Sequence, residues 1–200
     1  LLDGKFVKYL IVILIAYTFH ASALIMIPVY FIIRRRAWTV STLLLFVIIA
    51  FGYLKFDSLF PIVEDIIEGT QYAGNLAYFN RTGIGSNVIR FFVASVPLVL
   101  AFIERKNIKS LWDKSDIIIN LCTLNAVIML FSTYNFIIAR LAFYFQIYEI
   151  LLIPLIIRAC GNKLSKALVY YGCIVLYFAY FYYEVVYMFR INYQLIINFL

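Results

Sequence analysis

Phe6-Val-Lys-Tyr-Leu-Ile-Val-Ile-Leu-Ile-Ala-Tyr-Thr-Phe-His-Ala-Ser-Ala-Leu-Ile-Met-Ile-Pro-Val-Tyr-Phe-Ile-Ile33, closed by Arg34-Arg35-Arg36, decides how the rest of the chain is read. The run carries one charged side chain, Lys8, and exceeds the roughly 20 apolar residues that a membrane helix needs. Five further runs resemble it: Ala37–Leu54, Val88–Ile103, Ile117–Ile137, Leu141–Ile157 and Ala167–Phe189. All are continuous rather than alternating, which excludes barrel strands. At 66% hydrophobic and 14% charged over 200 residues, the chain departs from soluble domains, where about a quarter of residues are charged. A surface this apolar would aggregate in water, whereas lipid solvates it. The expected fold is all-α: a polytopic transmembrane bundle of about six spanning helices, treated as one domain over residues 1–200. Val88–Ile103 is short as drawn and is expected to extend at one end.

The net charge of +7 is distributed as cytoplasmic loops require. Arg34–Arg36 follow the first run, Arg105, Lys106, Lys109 and Lys114 the third, and Arg158, Lys163 and Lys166 the fifth. Basic groups in alternate loops place those loops in the cytoplasm, and the N-terminus and the Lys55–Asn87 segment on the other side. No basic face or motif points to nucleic acid. The chain opens on Leu1 and is expected to be a fragment of a longer one, with no cleavable signal before Arg34. Cys122, Cys160 and Cys173 lack metal or redox spacing and read as small buried residues. One histidine excludes a histidine metal cluster, and no metal or cofactor is expected.

Lys55–Asn87 is the longest non-spanning stretch. Ser58-Leu-Phe-Pro-Ile-Val-Glu-Asp-Ile-Ile-Glu68 mixes apolar and acidic residues as a short interfacial helix does, and Gly83-Ile-Gly85-Ser-Asn87 makes a turn. External loops on rigid helices often carry function.

Ionisable groups within spans cost at least about 2.5 kcal/mol at mid-bilayer, so each invites a functional reading. His20 lies about 21 Å of helix from Arg34. It suits either a hydrogen bond to a neighbouring helix or proton transfer. Arg90 and Arg140 open the third and fifth runs on the external side, where the charge rule gives arginine no help. Snorkelling would accommodate each alone. Together, planar guanidinium forks at helix N-termini match phosphate oxygens. Arg81 offers a third contact, and Tyr144 sits one turn from Arg140 on the same face. Glu149 and Glu184 lie within the fifth and sixth runs, paired with arginine or protonated. Arg190 or Arg140 is the expected partner of Glu184. The sixth run's tyrosines read as an interfacial belt.

Three segments together resemble the EpsG/Wzy group of bacterial polysaccharide polymerases. They are Phe19-His20-Ala21-Ser22-Ala23-Leu24 with Pro28, Gly85-Ser-Asn87-Val-Ile-Arg90 with Pro97, and Ala139-Arg140-Leu-Ala-Phe-Tyr144-Phe145 with Pro154. The similarity covers about residues 10 to 160 in the family's order. It implies a lipid-carrier-dependent glycosyltransferase of the bacterial cytoplasmic membrane with its active site facing outward. Such an enzyme joins oligosaccharide units carried on undecaprenyl pyrophosphate into O-antigen, capsule or exopolysaccharide, without nucleotide sugars. Its partners would be that lipid-linked oligosaccharide, the bilayer and a chain-length regulator of the pathway. Family members are longer, so further N-terminal helices are expected.

Under this reading Arg90 and Arg140 hold the pyrophosphate and, with His20, form the catalytic set. Arg81, Asn87, Tyr144, Ser22 and Glu149 bind substrate. Two rivals stand beside it. A flippase for the same lipid would show polar residues through the full membrane depth and inverted repeats. A non-catalytic membrane assembly subunit would use His20 and the glutamates as packing groups.

Overall fold

The first apolar run does not cross as one straight helix. The computed structural model, which describes residues 5–61 and 85–188, divides it into α1 (Phe6–Phe19), a 3-10 turn (Ala21–Ile25) and α2 (Met26–Ile33). His20 is the break, with extended backbone at φ −151 and ψ 113. Pro28 explains part of this. Deep inside a helix, its missing N–H would forfeit a backbone bond, whereas in the first turn of α2 there is little to lose. Thr18 contributes by donating its hydroxyl to the Ile15 carbonyl at 2.7 Å.

After the break the chain folds back. The Tyr9 hydroxyl donates to the Met26 carbonyl at 2.7 Å, and the Phe6 ring lies 5.0 Å from Tyr30 and 5.3 Å from Phe31. The expected single span Phe6–Ile33 is therefore a helical hairpin. The start of α1, expected opposite Arg34–Arg36, lies at the same end as those arginines, with Lys5 and Lys8. That end gathers further bonds. The Asn120 amide donates to the Ile33 and Arg35 carbonyls at 3.0 and 2.7 Å, and the Ala37 N–H donates to Asp116 at 3.2 Å.

Among the described residues, four more helices follow the hairpin before the bent segment: α3 (Val40–Leu54), α4 (Ile89–Ile103), α5 (Arg105–Leu111) and α6 (Ser115–Phe131). A capping box of Thr39 and Thr42 starts α3. The expected extension of the third run does not occur. At one end of α4 stand Glu104, Arg105 and Lys106, and at the other the non-helical residues 85–87. α6 is the core helix, with Ile117, Ile119, Leu121, Cys122, Ala126 and Met129 buried around its circumference. α4 faces it through Ala94, Pro97, Leu98 and Ala101, mostly small side chains that let membrane helices approach closely. Outward faces stay apolar, as at Val47, Ile48, Val96 and Val99, which suits a lipid surround.

The fifth run also differs from a straight span. It forms α7 (Ala139–Gln146) and α8 (Glu149–Ala159), and the pair formed by Phe136–Gln146 and Glu149–Ala159 bends by 55°.

The chain divides into two compact units, Leu1–Ile156 and Ile157–Leu200. In the second, α9 (Lys163–Tyr182) is capped by Asn162, whose side chain accepts from the Ser165 N–H at 2.7 Å, and runs on into a π turn, Tyr183–Met188. No described side chain of α9 is buried. Lys163–Met188, with 26 residues and mean hydropathy 1.4, is the one described helix long and apolar enough to cross a membrane alone; the bent pair is a second candidate. The remaining apolar helices are shorter, so six straight spans are not what the described residues build. Of the expected interfacial helix Ser58–Glu68, residues 58–61 are helical, within a helical stretch that starts at 56; residues 62–84, with Arg81, lie outside the described residues.

Candidate functional site

Two of the three segments quoted above meet at the end of the first unit opposite its basic loops. The turn after α6, residues 132–135, is their common anchor. The Ser86 N–H donates to the Ser132 carbonyl at 2.8 Å, and the two serine hydroxyls hydrogen-bond to each other. Gly85 makes this approach possible, since a Cβ there would stand 1.7 Å from the Thr133 carbonyl oxygen. The Asn87 side chain then accepts from the Ile89 N–H at 2.9 Å, an Asx turn that launches α4 and puts Arg90 in its first turn. On the other side of the anchor the same device recurs. Asn135 accepts from the Ile137 N–H at 3.0 Å, starting the 3-10 turn Phe136–Ile138 that leads into α7, where Arg140 is the second residue.

Both arginines thus open helices launched from one hydrogen-bonded tie. Arg90 is half-buried and Arg140 exposed, with its guanidinium carbon 6.0 Å from the centre of the Phe136 ring. Tyr53 braces the turn: its hydroxyl lies 3.0 Å from that of Thr133, and its carbonyl accepts from the Tyr134 hydroxyl at 2.5 Å. The Phe56 ring stacks on Tyr134 at 4.2 Å.

The hairpin tip brings the third segment to α7. The Ser22 hydroxyl shares a hydrogen bond with the Tyr144 hydroxyl at 2.8 Å and lies 3.3 Å from His20 Nδ1. This His20–Ser22–Tyr144 chain exists because the helix breaks at His20, which leaves the imidazole exposed and turns Ser22 toward α7. Tyr144 is one helical turn from Arg140 and shares its face. Three of the expected residues are therefore directly linked, and a fourth, Arg140, stands on the same helix face as one of them.

Glu149 sits elsewhere. It is buried at the start of α8 and accepts from the Asn125 side chain of α6 at 2.5 Å. Asn125, Asn135 and Ser132, all at most 1% exposed, were not singled out from the sequence. Their signal was available, since each is a polar residue in or beside an apolar run. Two cavities, of about 220 and 360 Å³, lie along α3, and neither is lined by Arg90, Arg140 or His20. Among the described residues no group of three His, Cys, Asp or Glu side chains could hold a metal ion.

Apolar helices that keep polar residues at breaks and helix starts define a helical membrane protein. The family comparison agrees: the EpsG family model matches residues 1–197, and the chain belongs to the EpsG family, whose members are membrane proteins of polysaccharide biosynthesis. No curated protein and no solved structure matches it.

Proposed function

We propose that this chain is a polysaccharide polymerase that joins undecaprenyl-pyrophosphate-linked oligosaccharide units at the outer face of the bacterial cytoplasmic membrane. The observation that carries the reading is the hydrogen-bonded chain from His20 through Ser22 to Tyr144, on the helix that Arg140 opens.

The reaction moves a glycosyl group from its diphosphate to an acceptor hydroxyl. The bond from the anomeric carbon to the diphosphate oxygen breaks, and the acceptor oxygen forms the new one while losing its proton. With His20 Nδ1–H donating to Ser22, the Nε2 lone pair is free to take that proton. Ser22 then donates to the Tyr144 oxygen, so the Tyr144 O–H points onward to the diphosphate. Charge developing on the leaving group is met by Arg90 and Arg140, each at a helix N-terminus. Basic loops, read as cytoplasmic by the positive-inside rule, support an outward-facing site, where a chain-length regulator would be its partner.

Substituting Arg90 and Arg140 separately by Lys tests the reading. Each variant should insert normally yet lose roughly 10²-fold or more in polymer synthesis, since Lys cannot reproduce a bidentate phosphate grip. Normal elongation by both would overturn it. Lost translocation of the lipid-linked unit, with polymerisation intact once substrate is outside, would make the chain a flippase.

A further inference from the structure

The polymerase reading leaves unused the basic end of the first unit, where Arg35 and Arg36 line the 220 Å³ cavity with Thr39 and Thr42, while Ile32 and Leu45 form its apolar depth. The loop carrying both arginines is built in place. Asn120 binds the Ile33 and Arg35 carbonyls, and the Thr39 hydroxyl donates to the Arg36 carbonyl at 3.4 Å. Neither guanidinium meets a carboxylate among the described residues. Arg34 differs, with its guanidinium carbon 5.2 Å from the centre of the Tyr30 ring.

The 360 Å³ cavity adjoins the first. Ile49, Thr123 and Val127 belong to the walls of both. It runs from Trp38 and Phe102 near the basic end to Phe91 and Leu130, and is almost wholly apolar. Trp38 lines it from the same loop as the arginines, with φ at +58, rare for a side chain of this size. Its indole N–H is buried with no acceptor among the described residues, a group that ordinarily finds a partner.

We propose that these two cavities hold one anionic diacyl phospholipid of the leaflet at the basic end, its phosphate on Arg35 and Arg36 and one chain in each cavity. Charge complementarity selects the headgroup, because two guanidinium groups beside the N-terminus of α3 favour a phosphate. Two apolar cavities sharing a wall select two chains over one. An ester carbonyl of the glycerol is the acceptor that the Trp38 indole lacks. The positive-inside rule puts this leaflet in the cytoplasm, where anionic lipids meet basic pockets. The site is independent of the polymerase reading.

Native mass spectrometry of the full chain, titrated with phosphatidylglycerol and phosphatidylcholine of identical acyl chains, tests it. Phosphatidylglycerol should bind at least about tenfold more tightly, because the choline ammonium of the other lipid offsets the charge its phosphate brings to Arg35 and Arg36. The double variant R35Q/R36Q should erase that preference, and R34Q, which removes a neighbouring charge outside the cavity, should keep it. Ile49→Trp fills the shared wall without changing charge and should weaken both lipids, which keeps the test decisive if R35Q/R36Q fails to insert. Equal binding of the two lipids, a preference surviving R35Q/R36Q, or full phosphatidylglycerol binding by Ile49→Trp would overturn the proposal. So would displacement by millimolar inorganic phosphate, which marks an ion site without chains. Preferential capture of undecaprenyl phosphate at equal concentration would overturn it in favour of a single-chain carrier lipid.

Discussion

At the residue scale, His20 does two things at once: its extended backbone ends α1, and its ring begins the link to Tyr144. His20→Gln should lower polymer synthesis by about 10²–10⁴-fold, the usual worth of a general base, with insertion unchanged. Tyr144→Phe and Ser22→Ala interrupt one chain, so their combined effect should fall short of the product of the single effects. An in vitro elongation assay reads both, and strict additivity would show that the two hydroxyls act separately. Gly85 is the structural counterpart. Gly85→Ala drives a methyl into the Thr133 backbone carbonyl, and should destabilise by about 1–3 kcal/mol, as overpacking does. A methyl added at Gly172 would meet nothing within 4 Å, so Gly172→Ala within α9 should stabilise by up to about 1 kcal/mol. Thermal melts in detergent compare the two, and equal shifts would refute the close-approach argument. Such roles were partly legible. The sequence marks Gly85, Asn87 and Arg90 as a group, but only the fold shows that the first two position the third.

At the element scale, the apolar runs announce helices because no polar period interrupts them, and their existence was readable. Their breaks were not. Pro28 and His20 permit a continuous kinked helix as well as a hairpin, and the choice lies in long-range contacts such as Tyr9 with Met26. The 55° bend between α7 and α8 likewise leaves only Pro154 as a trace, and Pro154 sits past the bend. Elsewhere three elements converge on Asp116. Its carboxylate accepts from the Ala37 N–H at 3.2 Å and pairs with Lys109 at 2.8 Å, joining the loop after α2 and helix α5 to the start of α6. The hydrogen bond to Asp116 holds the Lys109 ammonium above its ordinary value. The folded chain therefore binds this proton more tightly than the unfolded one, and the stabilisation is complete at neutral pH. It fades only as pH rises beyond the usual lysine range. Asp116→Asn should lower the melting temperature at pH 7 and flatten its decline at strongly alkaline pH. An alkaline limb identical to that of the parent chain would show that Lys109 gains nothing from the pair.

For the whole molecule, the hairpin changes how charge reports orientation. Read as one crossing, Phe6–Ile33 sets Lys5 and Lys8 against Arg34–Arg36, in conflict with the positive-inside rule. Folded back, it brings all five to one end with Lys109, so the rule and the packing agree. About 21 Å of α1 is less than the roughly 30 Å hydrocarbon core, so the His20 tip stops within the membrane or at a water-filled recess, where irregular backbone is tolerated. That depth suits a site reached from one side only. Cysteine labelling checks the arrangement in a background with Cys122, Cys160 and Cys173 replaced by Ala. Lys5→Cys and Arg36→Cys should both resist a membrane-impermeant maleimide in intact cells and both react once the membrane is opened. Thr18→Cys, exposed at the tip, should react from outside before opening. If Lys5→Cys and Arg36→Cys label from opposite sides, the first run crosses once. The His20–Ser22–Tyr144 chain would then lose the turn that builds it.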